Sequence, residues 1–178
     1  QSAKTIQPVT PQKRLTGAKA RGRASVVCWD LGHNPAGRAV VIYDLLARDW
    51  DVDLVGPLWD RYGGEVWPPI ARSERSILAF KTSHFEDFYP KALGFAAGQI
   101  YDLVVVVNPR LPGLLLGAMI QTASHCPLVL DIDDFELSFF KDETPAPLDD
   151  LINAGAAGLD IPFEELPTRA CESVIGDF

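Results

Sequence analysis

The sequence predicts an α/β domain of three layers, a parallel sheet between helices in a Rossmann-like arrangement. Three observations predict it. Apolar runs of strand length recur along the chain, and two of them, 103–107 and 128–132, are nearly continuous, as strands covered on both faces are. Segments with helical periodicity separate these runs. The stretch from Tyr101 to Glu136 reads strand, helix, strand in the length of one βαβ unit. Ligands of such sheets gather at the carboxyl ends of strands, which puts Asn108-Pro109-Arg110 and Asp133-Asp134-Phe135-Glu136 on one rim.

Residues 1–23 mix Lys, Arg, Gln, Thr, Pro and Gly without hydrophobic periodicity and are expected to form a flexible basic arm. The domain is expected over 24–178. Its first strand is Ala24 to Trp29, followed by the loop Asp30-Leu31-Gly32-His33-Asn34-Pro35-Ala36-Gly37-Arg38. A helix follows from about Ala36 to Arg48, with Ala39, Ile42, Leu45 and Leu46 as its apolar face. Val52 to Val55 is the second strand, and Gly56-Pro57 is expected to end it. A short third strand lies near 67–70 or 77–80. Ser83-His84-Phe85-Glu86 has the pattern of a capping box, and Phe85, Phe88, Tyr89 and Leu93 follow as expected core positions. Pro90 is expected to kink or split that helix. After the strand 103–107, Pro112 opens a helix whose Gly113, Gly117 and Ala118 allow close packing on a sheet. Beyond Glu136 the chain is rich in Pro, Gly and acids until Pro167, which suits the start of a helix carrying Ala170, Val174 and Phe178.

Composition narrows the function classes. The 178 residues are 47% hydrophobic and 22% charged, enough apolar material for one substantial core. The formal net charge is −8. Residues 1–24 hold six basic groups and no acid, which leaves the rest with 10 basic against 24 acidic residues, a net of −14. Such a body repels nucleic acid and anionic lipid. No apolar run approaches the length of a bilayer span, so no transmembrane segment is expected, while the basic arm leaves peripheral membrane contact open. The arm lacks the apolar centre of a signal peptide, and Cys28, Cys126 and Cys171 form no disulfide or metal-knuckle spacing; both point to the cytoplasm.

The glycine loop after the first strand invites a phosphate-binding reading, because free N–H groups at a helix start favour anions. It has neither G-x-G-x-x-G spacing nor a P-loop lysine. Gly32 and Gly37 serve either a ligand-contacting loop or simply a turn and close packing. Asp131-Ile132-Asp133 at a strand end has the carboxylates for a divalent cation. It also begins the haloacid-dehalogenase pattern, but only Lys141 and Arg169 are basic after Asp134, and Phe135 stands where that family's Thr or Val is expected.

The runs DLVVVVNPRLPGLLLGAMI and CPLVLDIDDFELSFF resemble the amino-terminal domain of family 4 glycosyltransferases of GT-B architecture. The opening ASVVCWDLGHNPAGRAVVIYDLLAR is similar to their first βα unit. The resemblance covers roughly residues 24–178. It implies the first half of a GT-B architecture, in an enzyme that moves a sugar from a nucleotide-sugar to an acceptor with retention. In that family the amino-terminal domain holds the sugar, lipid-linked or other acceptor, and a second, carboxy-terminal domain with an E-x7-E motif holds the donor. On this reading the chain is the acceptor half and transfers nothing alone. The implied catalytic positions are Asp133 and Asp134, where many relatives have His-Asp. The implied substrate contacts are Gly32, His33, Asn34, Gly37, Arg38, Asn108, Arg110 and Glu136. No metal and no cofactor beyond the nucleotide-sugar co-substrate is expected. The rival is a non-catalytic Rossmann- or flavodoxin-like binding or regulatory module; a receiver domain fits poorly, because Asp30 stands alone at the first strand end.

Overall fold

The computed structural model describes residues 21–71 and 74–132. Five strands, β1 (Arg23–Cys28), β2 (Asp51–Trp59), β3 (Ser76–Thr82), β4 (Leu103–Val107) and β5 (Leu128–Asp131), form one sheet. All neighbours pair in parallel, in the order β3-β2-β1-β4-β5. Between them lie α1 (Pro35–Leu46), α2 (Pro68–Ala71), α3 (Phe85–Ala97) and α4 (Leu111–Ser124). The expected α/β, Rossmann-like, parallel architecture is present. The arm (up to residue 20) and the helix expected from Pro167 lie outside the described residues.

The sheet separates two apolar cores because neighbouring strand residues face opposite ways. Val26 and Cys28 of β1, Leu54 and Leu58 of β2 and Val105 and Val107 of β4 meet α1 and α2. Val27, Val55, Trp59, Val104 and Val106 meet α3 and α4 on the other face. Gly117 carries α4 onto β4 so closely that a Cβ there would collide with Val106 Cγ2. That is the close packing expected of Gly113 and Gly117, whereas Ala118 turns away to line the groove between α3 and α4.

Several local expectations are corrected. Gly56-Pro57 does not end β2, which runs on to Trp59. β1 pairs with β2 only as far as Val55, so beyond it the strand needs only β3 as a partner. The Pro57 carbonyl faces the β1 side, accepting the Leu31 N–H at 3.0 Å, so its missing N–H costs no ladder bond there. Gly56 is required by a close approach, since a Cβ would run into the Cys28 carbonyl oxygen. Of the two places for a third strand, 76–82 is the strand, and Trp67 to Ile70 instead leads into and forms most of α2.

The capping box is not formed as read. The helix cap is His84, with no side-chain cap bond, and the Ser83 N–H donates to Asp87 Oδ2 at 3.3 Å rather than to Glu86. Pro90 lies within an unbroken α3. The ring is exposed on the solvent side, where the helix can open slightly toward water without losing core contacts. The buried face of α3 is Phe88, Ala92, Phe95 and Ala96, while Tyr89 and Leu93 are exposed. In α1, Leu45 is likewise exposed, and Ala36 and Ala39 make the tight contact with the sheet.

The amino-terminal edge of the sheet is closed by charge. Arg23, expected in the arm, is instead the first residue of β1, and its guanidinium donates to Asp53 Oδ2 from Nη2 at 2.6 Å and from Nε at 3.0 Å. Ser76 Oγ donates to the other carboxylate oxygen at 2.5 Å, and the Tyr101 hydroxyl donates at 3.1 Å. The guanidinium also lies 4.5 Å over the Tyr101 ring. Burial, with Asp53 nearby, pushes the Tyr101 hydroxyl far above its ordinary pKa, so it stays a donor. This cluster ties β1, β2, β3 and the approach to β4 together at the end of the sheet opposite the candidate site.

Candidate functional site

The chain leaves β1 for α1, β2 and β3 on one side, then returns to place β4 on the other. The crevice outside the carboxyl ends of β1 and β4 is therefore a topological switch point, where sheets of this kind bind ligands. Residues from three connections meet there.

Trp29 and Asp30 follow β1 directly, and both are buried. Asp30 Oδ2 is in hydrogen-bond contact with His33 Nδ1, three residues on. Asp30 Oδ1 faces the Trp59 backbone N–H at 3.4 Å. The His33 side chain is 31% exposed, so the buried carboxylate grips a ring that still reaches solvent. One face of that ring stacks on Tyr62, with centroids 4.3 Å apart, and Trp29 stands perpendicular to it at 5.1 Å. Tyr62 comes from a 3₁₀ turn, Asp60–Tyr62, after β2. The Trp59 indole N–H donates to the Trp29 carbonyl at 2.9 Å and fixes the backbone beneath this cluster. The Trp29 indole N–H is buried and, among the described residues, has no hydrogen-bond partner, an unused donor of the kind that calls for an explanation.

The second wall comes from the loop after β4. Asn108 takes a left-handed conformation, φ 49°, tolerable for Asn, and its N–H meets the Asp131 carbonyl at 3.3 Å. Arg110 follows at the cap of α4, and its N–H donates to the Asn108 carbonyl at 2.6 Å. Its guanidinium lies 4.7 Å over the Trp29 ring. Gly113 in the first turn of α4 lets that helix approach Trp29, with an added Cβ 3.4 Å from its backbone nitrogen.

Of the residues expected in one cleft, His33 and Arg110 come together across Trp29, and Asn108 sits beside Arg110. Gly32 lies against Asp30, where a Cβ would come 3.2 Å from its Oδ2. Asn34 is exposed at the cap of α1 without a side-chain cap bond. Gly37 faces Trp67 instead of the crevice. Arg38 is engaged by Asp131, with Nε–Oδ2 at 2.7 Å and Nη2–Oδ1 at 2.8 Å. Asp133, Asp134 and Glu136 lie outside the described residues. Sequence reasoning missed Trp29, Asp30 and Tyr62 as site members. The Asp-x-x-His spacing just past a strand was a signal for the first pair, since residues three apart in a tight loop can touch. Tyr62 left no such signal.

The glycine loop holds much of its backbone for itself. Leu31 N–H goes to Pro57, Ala36 N–H to the His33 carbonyl at 3.1 Å, and Gly37 N–H to the Asn34 carbonyl at 2.9 Å. These bonds favour the turn-and-packing reading of the loop over a phosphate cradle. Cys28, under the site, donates to the Asp30 carbonyl at 3.1 Å, and burial pushes its thiol up to about 12, so it is an inert core group. Among the described residues no group of three His, Cys, Asp or Glu side chains is placed to hold a metal ion, and no helix is long and apolar enough to cross a membrane. No protein-family model, curated protein or solved structure matches the chain.

Proposed function

We propose that this chain is the acceptor-side half of a glycosyltransferase that moves a sugar from a nucleotide-sugar to a hydroxyl-bearing acceptor, with the retention that the resemblance implies. The observation that carries the reading is the convergence of Trp29, His33, Tyr62 and Arg110 at the switch point of the sheet. Flat aromatic faces beside a few polar atoms suit a polyhydroxylated ring, whose C–H faces pack on π surfaces while its hydroxyls take hydrogen bonds. The donor diphosphate needs preorganised positive charge. Arg38 is already held by Asp131 and the glycine loop bonds to itself, which suits a donor held by a second domain. The same two observations also fit the rival, a binding module without catalysis.

Turnover separates the two. The 178-residue chain and a chain extended through the following coding sequence are incubated with a panel of nucleotide-sugars and saccharide or lipid acceptors, and products are identified by mass. The transferase reading expects transfer by the extended chain and none by residues 1–178 alone. Robust transfer by the short chain refutes the half-enzyme reading, and no transfer by the extended chain with any donor favours the binding module.

A further inference from the structure

We propose that residues 167–178 dock, as the amphipathic helix their sequence predicts, on an apolar strip shared by α1 and β5. The proposal goes beyond the transferase reading and stands whether or not the chain transfers sugar.

Parallel sheets are covered by helices on both faces. At the β5 edge one face is covered and the other is open. Leu128 and Leu130 pack into the core under α3 and α4. Strand residues alternate, so Val129 and Asp131 face the α1 side. Val129 pairs with Val105, which is buried in the core under α1, yet Val129 itself is 49% exposed. α1 reaches across to this strand near its start, where Arg38 grips Asp131. Val41 and Leu45 follow on the same flank of the helix and are 50% and 51% exposed. Val41 lies about 5 Å along α1 from Arg38, and Val129 lies about 7 Å back along β5 from Asp131, so the two come level. The strip is thus Val129 beside Val41 and Leu45, bounded at the carboxyl edge by the ion pair.

The occupant belongs to the 46 residues after Ile132, which lie outside the described residues. The chain leaves β5 beside this strip, and the 34 residues from 133 to 166 are far longer than the sheet. From Pro167, Ala170, Val174 and Phe178 recur at i, i+4 and i+8 on one helical face, and Thr168, Arg169 and Glu172 fall on the opposite one. Laid on the strip, that face gives Val129 the cover that α4 gives Leu128 and Leu130. A tethered segment is present at an effective concentration of the order of mM, which favours it over a second copy of the chain.

The test uses the whole 178-residue chain. The initial rate of tryptic cleavage after Arg169, followed by mass, reads how often the segment opens, because a docked helix is cut only when released. Leu45→Asp, at an exposed position, should raise that rate at least about tenfold. Leu93→Asp, equally exposed but in the groove between α3 and α4, should match the parent. The parent's rate should hold over about a hundredfold dilution, since an intramolecular contact is free of mass action. In the methyl-labelled parent, Val129 and Leu45 should show nuclear Overhauser contacts to the Phe178 ring. Missing contacts, or a Leu45→Asp rate within about twofold of the parent, overturn the proposal. A faster cut in Leu93→Asp alone places the segment in the other groove, and protection that fades on dilution gives the strip to a second copy; each also overturns it.

Discussion

Arg38, in the first turn of α1, grips Asp131, the last residue of β5, through two parallel hydrogen bonds across the carboxyl ends of β1 and β4. The pair joins elements 93 residues apart and ties together two rims of the crevice. Arg38 is 40% exposed, so solvent screens much of its attraction. A double-mutant cycle with Arg38→Ala and Asp131→Ala, read by urea unfolding, should give a coupling of at most about 1 kcal/mol. A much larger coupling would mean that the pair organises the fold rather than the rim.

The charge cluster at the opposite edge should behave differently. Asp53 is buried and collects Arg23, Ser76 and Tyr101 around one carboxylate. Replacing it with alanine strands a half-buried guanidinium, which should cost about 3 kcal/mol or more. Arg23→Met removes the charge as well, and the Asp53→Ala, Arg23→Met double variant should recover part of that loss in chemical denaturation.

Glycines in the two helices of one layer should respond with opposite signs. Gly117→Ala forces a methyl into Val106 and should destabilise by about 1–3 kcal/mol. Gly94, on the exposed side of α3, has nothing within 4 Å of an added Cβ, so Gly94→Ala should stabilise by about 0.5–1 kcal/mol. Thermal unfolding of the two variants checks both.

Cys28 gives a pH dependence whose sign follows from its burial. The native thiol keeps its proton up to about 12, against an ordinary 9.0, so the unfolded chain releases a proton first as pH climbs. The thiol's contribution is therefore full below about pH 9 and is lost between there and about pH 12. Tyr101 and Tyr43 are shifted upward too and add to alkaline destabilisation. Cys28→Ala should flatten the fall of the thermal midpoint above pH 9, and iodoacetamide at pH 8 should leave Cys28 unmodified in the native chain.

The strands of β-branched residues were legible because burial on both faces demands continuous apolar runs, as at Val104 to Val107. The close helix at Gly113 and Gly117 was legible for the same reason, since only small side chains allow that spacing. Other features depend on partners far away in sequence. Gly56-Pro57 reads as a stop until β1 is seen to end beside it. Tyr89 and Leu93 keep helical spacing with Phe85, yet the sheet lies under Phe88 and Phe95. At the site, His33 and Arg110 could be placed on one rim by strand ends alone. Trp29, which links them, looked like the last residue of a strand, and Tyr62 reaches the site through a turn whose course the sequence does not signal.

The central claim is that the crevice around His33 receives the substrate. Titrating the ¹⁵N-labelled chain with an acceptor identified by turnover measures this most directly. The account predicts chemical-shift changes at the Trp29 indole N–H, the His33 ring and the Gly113 amide, with Leu93 and Met119 in the groove between α3 and α4 unmoved. Changes confined to that groove, of about 500 Å³, with Trp29 and His33 silent at saturation, would contradict it.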